Sequence, residues 1–394
     1  MSHPVATASP RYPAPVRFHI AAVLLFLALI ACNYDRATGF TRLICFGDVF
    51  SVNRLPQVTQ THPFEFAHNR GYDGQFYAQL ATSPWLADAG LNSALDNPAY
   101  RARRIGLPGL AWLGGFGQTP WVLQAYALLN ALAWLALARL LLHWIPTTSA
   151  TALLAWLGCL FGVGVMMSVG RSLTDLPSAL LIAVAILLAE RGRCLGAGVA
   201  FACALLTRET SVLAGALLLP VHREGGQAWI RAVLVGAASL LPLGLWLLYV
   251  HQRFPDAPGV DGDNFAPPFT ALLGSLEAVY RAVPQRGWHV VMAQLLSTLG
   301  LCAQFAFLVL NARKAWRERW WRVGMPFALL FAVLGPAVWE DYTAAARAVI
   351  PMTLAFNILL PRDRGWSVPL CLIGNLSVLH GLIYLLPPTW TNLF

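Results

Sequence analysis

Asp73 lies in the string Gly71-Tyr72-Asp73-Gly74-Gln75-Phe76-Tyr77, an acid among aromatics in the longest polar stretch of an otherwise apolar chain. A carboxylate in such a setting can take a proton from a hydroxyl or orient one. It also has a plain structural use. Gly74 to Ala81 reads as a short helix with Phe76, Tyr77 and Leu80 on one apolar face, and Asp73 stands at its N-cap, a position aspartate fills well. The roles are compatible, because a capping carboxylate stays ionised and is held by backbone N–H groups. Asp48, in Phe46-Gly47-Asp48-Val49-Phe50, is the rival acid. It lies nearer the first apolar run.

Arginine suits a phosphate because its fork donates two parallel hydrogen bonds. Six arginines fall where one could serve: Arg101, Arg103, Arg104, Arg171, Arg208 and Arg347. The first three form a cluster that could equally bind anionic lipid headgroups or pair with Asp96. Arg208 beside Glu209, and Arg347 near Glu340 and Asp341, read equally well as structural ion pairs. Arg171 and Asp175 are spaced as an i,i+4 pair at the start of a helix. Tyr72, Gln75 and Tyr77 flank Asp73 and join the arginines as expected substrate or phosphate contacts.

Other chemistries find little support. No GxxxxGK[ST] or convincing GxGxxG string cradles a nucleotide. His62, Glu65 and His68 are too irregularly spaced for a zinc site, so neither a metal nor another cofactor is expected. The seven cysteines form no CxxC pair and read as small packing residues. Cys32 follows Leu29-Ile30-Ala31, a lipoprotein-like box, but the spans that follow favour an unlipidated residue at the end of the first one. Trp85, Trp112, Trp121, Trp288 and Trp339 read as interface anchors.

The elements that must position these residues are membrane helices. The chain has 394 residues, of which 57% are hydrophobic and 11% charged. Its mean hydropathy is +0.59. Soluble domains carry about twice that charged fraction. Apolar runs of roughly 17–22 residues recur between short polar breaks, which defines an all-α, polytopic helical bundle of about eleven spans. The formal net charge of +9 does not require nucleic acid as a partner, because the basic residues cluster in alternate loops. The clusters at 190–193, 313–322 and 362–364 place those loops and the N-terminus in the cytoplasm. Residues 1–17 read as a disordered cytoplasmic tail and 18–394 as one integral membrane domain. Two long loops, 34–104 and 251–288, then lie outside and hold most of the acids. The first is about 70 residues long, uncommon unless functional, and short amphipathic helices are expected in it. Residues 105–116 are apolar but too short to cross, so they read as interfacial or re-entrant. No inverted repeat is evident.

Asp73, followed at four-residue steps by Tyr77 and Ala81, resembles the first-loop motif of GT-C glycosyltransferases. That superfamily includes protein O-mannosyltransferases and the aminoarabinose transferases of lipid A. The string 71–77 also resembles a hallmark of uncharacterised bacterial membrane proteins placed near them. So do Tyr100-Arg101-Ala102-Arg103-Arg104-Ile105-Gly106-Leu107-Pro108 and Leu205-Leu206-Thr207-Arg208-Glu209-Thr210. The chain departs from the aminoarabinose-transferase pattern at Gly74, where Glu is usual, and in having no large C-terminal soluble domain. The resemblance implies an inverting transfer of sugar from a polyprenyl-phosphate donor to a cell-envelope acceptor (a glycan, lipid or protein) at the outer face of the bacterial inner membrane. Asp73 would be the base. An outer-face site also lacks nucleotide sugars, so its donor should be lipid-linked. The competing readings are a transporter or flippase of lipid-linked sugars or small solutes, and a polysaccharide polymerase or ligase.

Overall fold

The computed structural model describes residues 14–146, 148–221, 225–255, 262–286, 288–362 and 367–386. Most of the expected tail, the loop residues His222, Arg223, Glu224, Asp256 and Asp261, and Asp363 and Arg364 lie outside the described residues. The remainder is a helical membrane bundle. Five helices are long and apolar enough to cross a bilayer: Thr119–Leu141, Ala150–Gly170, Gly226–Arg253, Val290–Leu310 and Val368–Leu385. Tyr342–Ala348 and Ile350–Arg362, bent by 62°, pass the same test together. The other expected spans are shorter helices: Arg17–Ala31, Asp175–Glu190, Cys194–Thr207, Glu209–Leu218 and Arg319–Val333. Length and composition thus mark five or six crossings among the described residues, against about eleven apolar segments in the sequence. The shorter helices pack on one another: Asp175–Glu190 lies along Cys194–Thr207, and Glu209–Leu218 folds back against both.

The first loop is a folded layer. Thr41–Ile44 and Ser51–Asn53 form 3-10 turns, and Pro56–Thr59, Gly74–Thr82, Leu91–Ala94 and Pro98–Ala102 form short helices. Phe46–Gly47 pairs in parallel with Glu65–Phe66, a small exception to the all-α expectation. The long helix Gly226–Arg253 pins this layer down. Trp246 Nε1 donates to the Ala102 carbonyl (2.8 Å), and Arg253 donates to that of Leu86 (2.6 Å).

The motif helix Gly74–Thr82 corrects one expectation. It is not amphipathic at a surface, because every residue from Gly74 to Ala81 is buried. Two glutamines make this possible by satisfying both ends of their amides, as buried polar groups require. Gln75 Oε1 accepts from Gly47 N (3.2 Å) and its Nε2 donates to the Arg70 carbonyl (2.8 Å). Gln79 does the same between Leu55 N (2.9 Å) and the Ala94 carbonyl (3.0 Å). Both stitch loop strands onto the helix. Gly74 is required by a close approach, since a Cβ there would lie 2.0 Å from the Arg171 carbonyl oxygen. Residues 105–116 contain the nine-residue helix Gly106–Gly114. Trp339 is buried and is no interface anchor, whereas Trp85, Trp121 and Trp288 are exposed.

Candidate functional site

Asp73 occupies the N-cap position of the motif helix, but its side chain makes no cap hydrogen bond. The carboxylate turns to arginines instead. Its Oδ1 lies 2.9 Å from Arg101 Nη2 and its Oδ2 3.9 Å from Arg347 Nη1. The side chain keeps 28% exposure. It opens onto a cavity of about 370 Å³ lined also by Tyr72, Asp96, Glu340, Asp341 and Arg347. Burial pushes its pKa up, but Arg101 and then Arg347 outweigh that and hold it below the usual carboxylate range.

Three further carboxylates complete the cluster. Asp96 takes the fork of Arg101, at 2.8 Å to Nε and 2.6 Å to Nη2, the nitrogen that also contacts Asp73. Glu209 takes the fork of Arg104 at 3.0 and 2.9 Å. Asp175, 3% exposed, pairs with Arg208 and lies 3.4 Å from Arg347. The sequence-adjacent pairings are therefore wrong. Arg208 does not pair with Glu209, nor Arg347 with Glu340 or Asp341, because the packing of distant segments offers both arginines the buried Asp175. Arg171 does not pair with Asp175, whose carboxylate those two arginines take. Four arginines pair with four carboxylates, so the ion-paired part of the cluster is near neutral, and Asp341 adjoins it through Tyr72.

Tyrosines tie the cluster together. Arg104 Nη1 donates to Tyr77 Oη (2.6 Å) and its Nη2 to Tyr100 Oη (2.7 Å). Arg347 Nη2 donates to Tyr72 Oη (3.0 Å), which donates to Asp341 (2.9 Å). Burial pushes the hydroxyls of Tyr72 and Tyr77 above the ordinary phenol value, so both stay protonated. The Nε of Arg347 is buried without a hydrogen-bond partner.

Of the residues singled out from sequence, Asp73, Tyr72, Tyr77, Arg101, Arg104, Arg208 and Arg347 come together. Asp48 does not join them. It accepts from the backbone amides of His68 (2.7 Å) and Asn69 (3.0 Å), a loop-fastening role that lowers its pKa. Arg103 is half-buried and makes no ion pair among the described residues. Gln75 lines the cavity, but its amide is consumed by the backbone. The sequence reading missed Asp175 and Tyr100 as cluster members. The signal for Asp175 is an ionisable residue opening an apolar helix, and spacing alone offers it only a local partner. Among the described residues, no group of three or more His, Cys, Asp or Glu is placed to hold a metal ion.

A second cavity, about 930 Å³ and almost wholly apolar, is lined in part by residues that begin in sequence where the Arg101–Arg104 segment ends. Ile105, Gly106 and Leu107 line it directly after that segment, and Thr207 lines it directly before Arg208. Leu110, Leu113, Leu180 and Leu245 complete its walls.

The fold, a helical bundle with a folded first loop, has counterparts among solved structures. Solved structures that match it include ArnT from Cupriavidus metallidurans bound to undecaprenyl phosphate, with TM-score 0.51 and 15% identity over 91% of this chain. The apo state of the same protein matches with TM-score 0.46 and 16% identity, also over 91% of this chain. This chain spans 62% of the length of ArnT. At that identity the likeness concerns fold alone. No protein-family model matches the sequence, and no curated protein matches it.

Proposed function

We propose that this chain is a membrane glycosyltransferase that moves a sugar from a polyprenyl-phosphate donor to an acceptor hydroxyl at the outer face of the bacterial inner membrane. The observation that carries this reading is the placement of Asp73, a partly open carboxylate with an arginine at each oxygen, one short segment away from a large apolar cavity. The polyprenyl chain lies along the apolar walls, with its phosphate toward Arg101, Arg104 and Arg347. The acceptor enters through the polar cavity. Its hydroxyl oxygen attacks the anomeric carbon as the bond from that carbon to the phosphate oxygen breaks. Asp73 takes the hydroxyl proton, and the arginines take up the charge on the departing polyprenyl phosphate.

The near-neutral cluster adds a condition. An incoming phosphate must displace a carboxylate from a guanidinium or use a free N–H. Asp96, 34% exposed at the cavity rim, is the carboxylate placed to yield, and Arg347 Nε is the free donor. The first test is binding. Purified protein in neutral nanodiscs should bind undecaprenyl phosphate, and Arg347→Gln should weaken that binding about tenfold, the worth of a charge-assisted hydrogen bond. Wild-type protein that does not bind undecaprenyl phosphate contradicts the reading.

A further inference from the structure

Arg42 and Arg171 come from distant parts of the chain and share one aromatic ring. Arg42, on the turn Thr41–Ile44, sits 4.9 Å from the centre of Phe64 and 6.0 Å from that of Phe66. Arg171, just before Asp175–Glu190, sits 5.7 Å from the centre of Phe66. Both side chains are half-buried. Among the described residues neither is in an ion pair, and their only side-chain hydrogen bond is a long one from Arg171 Nη1 to the Gly170 carbonyl (3.5 Å). The carboxylate that acts on Arg42 is Asp35, which is already engaged by the amides of Ala37 (2.8 Å) and Thr38 (3.0 Å). Burial first, and then repulsion from Arg171, lower the pKa of Arg42.

This pair contrasts with the four arginines of the Asp73 cluster, each of which has a carboxylate partner. Two half-buried like charges, with only the already engaged Asp35 acting on one of them, are unfavourable for the empty protein. They are also a set of guanidinium donors, oriented by aromatic rings and engaged by no carboxylate in an ion pair among the described residues. Their place is informative. The Arg171 carbonyl packs directly on Gly74, the residue after Asp73, so the backbone that carries Arg171 abuts the motif helix.

We infer that Arg42 and Arg171 form a second anion site, separate from the Asp73 cluster, that receives a phosphate or carboxylate group carried by the acceptor. The acceptor assignment rests on the glycosyltransferase reading; the anion site itself does not. An acceptor held there by its charge would be oriented while its hydroxyl reaches toward Asp73. The site would thereby select acidic acceptors over neutral ones.

The test is arginine modification by phenylglyoxal on the full chain in phosphatidylcholine nanodiscs, read peptide by peptide by mass spectrometry with inorganic phosphate as the probe. Phosphate should slow modification of Arg42 and Arg171 about tenfold while leaving the exposed Arg281 unchanged. Arg171→Gln should abolish the protection of Arg42, and Arg171→Lys, which keeps the charge, should retain part of it. Protection that appears only when phosphatidylglycerol is in the bilayer would make the anion a lipid headgroup and overturn the acceptor assignment. Equal modification with and without phosphate, in both bilayers, overturns the site. Protection of Arg347 by undecaprenyl phosphate in the same digests reports separately on the donor reading.

Discussion

Arg104 and Glu209, 105 positions apart, meet in two parallel hydrogen bonds of 3.0 and 2.9 Å. The pair fastens the first loop to the junction between Cys194–Thr207 and Glu209–Leu218. Arg104 is nearly fully buried, so removing its partner leaves a charge without compensation. Glu209→Gln should cost about 3 kcal/mol or more of stability. Arg104→Lys, which keeps the charge but loses the fork and the bonds to Tyr77 and Tyr100, should cost about 1.5–3 kcal/mol. Denaturant unfolding in detergent measures both, and a loss below about 0.5 kcal/mol in each would show that the pair is not what holds the loop.

In the proposed reaction Asp96 competes with the donor phosphate for Arg101. Asp96→Asn should therefore lower KM for the donor by up to about tenfold while leaving kcat within about twofold, since Asp96 is outside the proposed bond-making step. Steady-state kinetics at saturating acceptor would show it. A raised donor KM would mean that Asp96 holds Arg101 in its working position instead.

Gly74 is where the sequence departs from the aminoarabinose-transferase pattern, and the structure supplies the reason. The Arg171 carbonyl occupies the space a side chain would need, with the Ile44 carbonyl 2.7 Å from the same point. Both obstacles are backbone. Gly74→Ala should cost about 1–3 kcal/mol by overpacking, measurable as a fall in unfolding temperature.

Asp35, Asp48 and Asp73 all have pKa values lowered by folding. Backbone amides are responsible for the first two, and arginines overcome burial for the third. Between those lowered values and the ordinary carboxylate value near 4, the folded chain binds fewer protons than the unfolded chain, so stability falls as pH falls. The contribution is complete at neutral pH and is lost as the folded groups protonate. Thermal unfolding should be flat from about pH 7 to 5 and drop below about pH 4. Asp48→Asn should remove part of that acid sensitivity without changing transfer.

The helical membrane class is legible from composition, and the meeting of Asp73 with arginines is foreshadowed by one string of residues. The partners were not. A sequence shows neighbours along the chain, which suggests Arg208 with Glu209 and Arg171 with Asp175, whereas each carboxylate is taken by an arginine from another segment. Asp48 and Asp73 also look alike in sequence, since each is an acid beside glycine and aromatics. They separate only when the loop folds and hands one to backbone amides and the other to guanidiniums. The Arg42–Arg171 pair left no trace in spacing, because its members are joined only through Phe66.

The measurement that bears most directly on the role of Asp73 is single-turnover transfer from a radiolabelled sugar on undecaprenyl phosphate, comparing wild type with Asp73→Asn in neutral nanodiscs. The variant is nearly isosteric and should keep its fold and its binding of undecaprenyl phosphate within about threefold, while the transfer rate falls by about 10²–10⁴. Transfer at the wild-type rate by the folded, donor-binding Asp73→Asn protein would contradict the assignment of Asp73 as the base.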